Sequence, residues 1–316
     1  MRKIFTYLIF TFLSVSAYSQ YYMDWGFKLG ASNYLGDIGG LEKTRRDFVL
    51  DMRLQHTRWN FGAFFRYKLS SQIATKINLE YLRIEAYDAN STNPGRRARN
   101  LDFRNDMFEL TNTWELYIYK VNDVGRTGRY RTDFQLYLFA GFGALYHNPK
   151  GQLNGAWYAL QPLRTEGQEK PYSKFQFIIP AGLGFYYSIN RKYRIGMELG
   201  WRTTFTDYLD DISTTYVDPA DLDSDLARSL ANKTTPQLLN QINKENNIDG
   251  VQGKEILMDA FQEGGKRGDP THNDSYLTAD ITFSFMIRGK SSFYRAKHSF
   301  VLGRKKRRRR RSRAKF

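Results

Sequence analysis

The side chains that could do chemistry come in alternation. Asp24 and Lys28, Arg66 and Lys68, Lys76 and Glu80, Glu109 and Glu115, Arg194, Glu198 and Arg202, and finally Asp280 lie in segments whose other parity is apolar. Period-two spacing puts such residues on one face of a strand. Paired carboxylates there could work as general acid and base. The count argues for something plainer: six acids stand against six bases, as in a closed interior that neutralises itself through ion pairs. The other routes to catalysis are thin. The chain has no cysteine, which removes disulfides, thiol nucleophiles and cysteine metal sites. Its four histidines, His56, His147, His272 and His298, form neither a metal-spaced pair nor part of a nucleophile motif. No phosphate loop or dinucleotide fingerprint occurs in its strand-to-helix context. The expectation is therefore no enzyme, no cofactor, no metal and no small-molecule substrate.

A second acidic group, Asp207, Asp210, Asp211, Asp218, Asp221, Asp223 and Asp225, has the oxygen density of a calcium loop. It lacks the glycine and terminal glutamate of an EF-hand, and a solvated loop is the expected reading. Weak helical spacing over Asp221 to Leu230 and Thr235 to Asn243 predicts short helices within it.

The elements that carry the first set are best seen between Phe175 and Phe205. Phe175, Phe177, Ile179, Ala181, Leu183, Phe185 and Tyr187 alternate with Gln176, Gly182, Gly184 and Ser188; after Asn190-Arg191, Tyr193, Ile195, Met197, Leu199 and Trp201 alternate with Arg194, Gly196, Glu198, Gly200 and Arg202. This is a hairpin of long arms with an apolar face and a face of glycines and mixed charge. A strand crossing a bilayer needs about 9–11 residues with apolar side chains outward and polar ones inward. Similar strands are predicted from Met23, Trp59, Ile73, Phe108, Phe134 and Leu277, with a change of parity at Leu82 that predicts a bulge or an exit from the membrane there. The connections alternate long and short. The fold class expected is all-β: an eight-stranded antiparallel transmembrane β-barrel with long external loops and both termini periplasmic. A soluble barrel would have the opposite polarity, apolar inside.

Met1 to Ser19 reads as a secretory signal, with Arg2 and Lys3 before an apolar run and Ala17-Tyr18-Ser19 at the cleavage site. The barrel is assigned to residues 20–287 and a basic tail to 288–316. Net charge is +16, yet the tail alone holds fourteen Lys and Arg and no acid. With the signal's two bases set aside, the body is neutral. Arg304, Lys305, Lys306, Arg307, Arg308, Arg309, Arg310 and Arg311 form an unbroken basic run. In a cytosolic chain it would suggest nucleic acid. Behind a secretory signal, its expected counter-charges are anionic lipid, cell-wall carboxylates or an acidic protein.

Four loop motifs carry a family resemblance. They are Ser32-Asn33-Tyr34-Leu35-Gly36-Asp37, Arg96-Arg97-Ala98-Arg99-Asn100-Leu101-Asp102-Phe103, Trp157 to Leu163 with Thr165-Glu166-Gly167, and Thr204-Phe205-Thr206-Asp207-Tyr208-Leu209-Asp210-Asp211-Ile212-Ser213. From Gln20 to Phe285 the chain resembles the PorG-like outer-membrane proteins of Bacteroidetes, components of the type IX secretion and gliding machinery. The resemblance implies an outer-membrane barrel, without enzymatic activity, that stabilises a periplasmic ring made of a lipoprotein and its partner protein. A transport or ligand-binding barrel unrelated to secretion is the alternative. The insert from Asp221 to Asp269 and the basic tail match no motif of that family.

Overall fold

The computed structural model describes residues 23–40, 52–125, 132–246 and 256–287. The segments expected to be a signal and a basic tail, Arg304 to Arg311 included, lie outside them. Ten strands follow in order: β1 (Met23–Leu35), β2 (Arg58–Lys68), β3 (Ile73–Tyr87), β4 (Asp102–Val121), β5 (Thr132–Tyr146), β6 (Pro149–Leu153), β7 (Ala156–Ala159), β8 (Phe175–Ile189), β9 (Tyr193–Thr204) and β10 (Ser275–Ile287). Eight of them form a closed antiparallel barrel in the order β3-β2-β1-β10-β9-β8-β5-β4, with β3 pairing β4 to complete the circle. Closure leaves none of these eight strands at a sheet edge.

The faces divide as the alternation requires. Trp25, Phe61, Leu79, Leu116, Leu138, Leu183, Leu199 and Phe283 are exposed on the outside. Glu198 lies opposite Gly184 and Asp280, whereas its neighbour Leu199 lies opposite Leu183 and Ala279. An apolar belt on this scale is what a hydrocarbon core covers. On β8, glycine gives aromatic rings room to cross the interior. A Cβ on Gly182 would meet the Phe139 ring at 2.7 Å, and one on Gly184 would meet Tyr137 at 2.7 Å.

Chain direction fixes the two ends. Met23 pairs with Ile287 and Tyr67, so both described termini leave the barrel beside the tight turns at Ser70-Ser71 and Asn190-Arg191. The long connections gather at the other end. Among the described residues they contain three α-helices: α1 (Pro94–Arg99), α2 (Asp225–Ala231) and α3 (Pro236–Asn246). Ser224 caps α2, accepting from the Ala227 N–H at 3.1 Å. The helical spacing expected at Asp221–Leu230 and Thr235–Asn243 thus marks two real helices.

Two expectations need correction. β3 does not bulge at Leu82; its pairing with β4 runs unbroken from Ile73↔Leu116 to Tyr87↔Asp102. Leu82, Ile84 and Ala86 stay on the inward face and are fully buried. What changes is the content of the interior. Above the charged layers it is filled by an apolar core that includes Tyr34, Ile38, Phe103, Met107, Leu145, Ile178, Leu209 and Tyr276. The register shift lies in β4, between Tyr117 and Tyr119. The third long connection is also more than a loop. β6 extends the pairing of β4 and forms a hairpin with β7.

Candidate functional site

The charged residues of the inward face fall into two layers. Near the turn end, Arg66 sits 2.9 Å from Asp24, 2.8 Å from Glu115 and 3.6 Å from Glu198. Lys76 bridges Glu115 at 3.3 Å and also pairs with Glu198; Arg194 pairs with Asp24. Tyr137 donates to Glu198 at 2.5 Å and Tyr117 to Glu115 at 2.8 Å. Arg66 also lies over the Tyr186 ring, 4.9 Å from its centroid. Three acids and three bases neutralise one another here, with aromatic rings closing the gaps.

The second layer is nearer the loops. Lys28 pairs with Glu80 and lies 3.5 Å from Asp280. Arg202 reaches Glu109 at 3.3 Å and Glu80 at 3.4 Å and donates to Thr278 at 2.7 Å. Tyr276 donates to Glu109 at 2.9 Å. This layer has three acids on two bases. The sixth base, Lys68, is not there: it sits at the turn end, donating to Gln135 at 3.0 Å above the Tyr117 ring. Overall parity of charge in the sequence thus conceals an acidic upper layer and a basic mouth. None of the eleven layered residues is more than 4% exposed, so the interior at their level is filled rather than open.

Above the apolar core, the four sequence motifs meet in one buried network. Glu166 accepts from the backbone N–H groups of Ser213 (2.9 Å) and Thr214 and from Arg267 at 2.8 Å. Arg267 also donates to the Asp211 carbonyl at 2.6 Å, and Tyr172 donates to the Asp211 carboxylate at 2.7 Å. Asp88 binds Arg99 at 2.7 Å and the Gly39 N–H at 3.1 Å, while Arg99 donates to the Asp37 carbonyl at 2.7 Å. Asp274 accepts from the Leu209 N–H at 2.9 Å, and Asn105 ties β4 to the Leu209 carbonyl at 2.8 Å. The motifs therefore build a cap that closes the loop end. Asp88, Asn105, Arg267 and Asp274 are essential members that the sequence reading did not single out. They are isolated residues at loop margins, without a period or spacing to mark them.

The acidic loop divides in two. Asp218, Asp221, Asp223 and Asp225 are exposed, as a solvated loop would have them. Asp207, Asp210 and Asp211 are buried instead, because the chain folds back into the cap, where Tyr34 and the Ile212 N–H meet the Asp210 carboxylate and Thr165 and Tyr172 meet that of Asp211. Among the described residues no three His, Asp or Glu side chains converge to hold a metal. His147 is buried and stacks on Tyr172 with 6.0 Å between centroids; burial pulls its imidazole down to about 4, so it is neutral.

Protons hold part of this cap together. The Tyr34 hydroxyl is 2.6 Å from both Asp210 and Asp274. One phenolic proton can serve one carboxylate, so the other carboxyl keeps its own proton and donates to the phenol. Burial, followed by the neighbouring acids, raises Asp210 and Asp274 well above the usual carboxylate range. The same causes push Asp207 up to about 9, and burial pushes Asp211 to about 6. Groups raised on folding bind more protons in the folded state. The stability these protons give the cap is therefore full below the ordinary carboxylate pKa and is lost as pH rises through the raised values, last for Asp207 near 9. Limited proteolysis within 205–235 should be faster at pH 9 than at pH 6, with the barrel intact. Equal rates, or faster cutting at pH 6, would contradict this.

Fold and site together define a class: a membrane-type barrel of eight strands with a neutralised interior and an interlocked cap at one end. A family model described as "Domain of unknown function (DUF6089)" matches residues 2–222, and the chain belongs to that family. No curated protein matches the chain. Solved structures similar to it include the attachment invasion locus protein Ail of Yersinia pestis, 8% identical with a TM-score of 0.32, covering 83% of this chain and 97% of that one. Ail in complex with the heparin analogue sucrose octasulfate is also 8% identical, with a TM-score of 0.31 and coverage of 84% and 98%. The barrel itself is established by the strand pairing and burial described above.

Proposed function

We propose that the protein is a structural component of the outer membrane, anchoring a periplasmic lipoprotein ring of a type IX secretion machinery. The observation that carries this reading is the filled interior. A barrel whose two charged layers are at most 4% exposed is built to stand in a membrane rather than to pass solutes. The resemblance of the four loop motifs to PorG-like proteins supports the secretion role and the origin in Bacteroidetes. The long connections then face outward and the turn end faces the periplasm. Because the motifs are consumed in building the cap, contact with the ring falls to the turn end and to the basic tail that follows Ile287.

The test is purification of the tagged full chain from native outer membranes. A periplasmic lipoprotein and its partner should come with it at low salt. Deleting Arg304 to Phe316 should leave insertion intact and reduce their recovery, since exposed charges are screened beyond about 8 Å at physiological ionic strength. If the full chain brings down no periplasmic protein, the anchoring role fails; unchanged recovery after the deletion would remove the tail from it.

A further inference from the structure

At the loop end, a cleft of about 430 Å³ opens between α1, the upper ends of β1, β9 and β10, and the segment around 256–269. Leu35, Trp201, Ile256 and Phe261 give it an apolar wall, and Asp37, Asp207, Asp269 and Asp274 give it carboxylates. Its cations are already engaged. Arg99 is held by Asp88 at 2.7 Å and Arg267 by Glu166 at 2.8 Å. Lys266 faces Asp269 at 3.8 Å, and Arg96 acts on Asp37. Asp274 is engaged with Tyr34. Asp207 is different: it is only 8% exposed, and its Oδ2 has no hydrogen-bond partner. The acids Asp210, Asp37, Glu166 and Asp274 face it, and Ser213 hydrogen-bonds its carboxyl; His272, which also lines the cleft, lies 3.5 Å from Asp269.

We infer that this cleft binds an organic monocation, an ammonium or guanidinium group on an apolar stem, with Asp207 as acceptor and Trp201 and Phe261 as the wall for the stem. An orphaned carboxyl oxygen in an acidic recess calls for a donor that carries positive charge. A hard metal ion would require several converging oxygens, which the described residues do not provide. Ammonium and guanidinium groups make directional bonds to single carboxylates and lie well against aromatic rings. The cost of a buried, uncompensated charge keeps Asp207 protonated, pushed up to about 9. The arriving cation replaces that proton. Binding therefore releases one proton and tightens as pH rises. This inference goes beyond the secretion role and holds whether or not a ring docks at the other end.

The test is calorimetry on the full chain in an amine-free maltoside detergent, with N-acetylarginine amide and butylammonium as probes. Affinity should rise by up to about tenfold per pH unit from pH 6 to 8, and two buffers of different ionisation enthalpy should report release of one proton. Asp207→Asn should weaken binding at least about tenfold at pH 8 and remove the pH slope, by that same one-proton linkage. Asp218→Asn, on the exposed surface outside the cleft, should change neither. The proton count on the unaltered protein keeps the test valid if Asp207→Asn misfolds. Equal binding of the uncharged N-acetylcitrulline amide, binding without proton release, or binding of calcium alone would overturn the inference.

Discussion

Arg66→Met should destabilise the barrel by about 3–5 kcal/mol, the cost of removing one partner from a buried ionic network. Arg66 is 1% exposed and touches Asp24, Glu115 and Glu198. Without it, three carboxylates share Lys76 and Arg194 in a dry interior. Methionine fills the volume, so the loss reports charge rather than a cavity. Unfolding by urea in lipid vesicles, followed through the gel shift between folded and unfolded barrel, measures it. The double variant Arg66→Met with Glu115→Gln restores two acids against two bases and should recover part of the loss. A single variant within about 1 kcal/mol of the original would show that the ionic layer contributes little, contrary to the cost assigned to such networks.

Leu199→Arg should cost about 2–4 kcal/mol if measured in a bilayer. Leu199 is at the middle of β9, 50% exposed on the outer face. Leu257 is 59% exposed but lies in a long connection, away from the strands. An arginine there should change stability by no more than about 0.5 kcal/mol, the usual range for surface positions. The two leucines have similar exposure, so the difference isolates the hydrocarbon. Equal tolerance at both would place the outer face in water and reverse the polarity assigned to the barrel.

The barrel was legible because its strands obey a single period. Between Phe175 and Phe205 every second side chain names its own face, and the same rule carries to Met23, Trp59 and Leu277. Where the rule was applied too literally it misled. At Leu82 apolar residues move to the inward parity, which resembles a bulge if the interior is taken as polar throughout. The interior is polar only at the level of the charged layers; above them the loops fold in and the lumen becomes an ordinary apolar core. The cap was hardly legible at all. Asp207, Asp210 and Asp211 have the same composition as the solvated Asp218 to Asp225, and only long-range partners such as Arg267 and Tyr34 separate the two groups. Those partners lie tens to hundreds of residues away in sequence, at spacings set by tertiary packing.

The two ends of the molecule therefore differ in kind. The loop end is occupied with its own folding, through Glu166, Arg267, Asp88 and Arg99. The turn end is short, carries Lys68 in a basic mouth, and holds Met23 and Ile287, the first and last described residues. The measurement that tests this division most directly is photo-crosslinking in cells. A photoreactive residue is placed at Ser71 or Asn190 on the turn end, or at Asp218 or Ser229 on the cap; all four are exposed. Ser71 and Asn190 should give adducts with a periplasmic lipoprotein complex and be protected from protease added to intact cells, while the cap positions give no such adducts. Adducts of that complex from Asp218 or Ser229 alone, with Ser71 and Asn190 silent, would contradict the account.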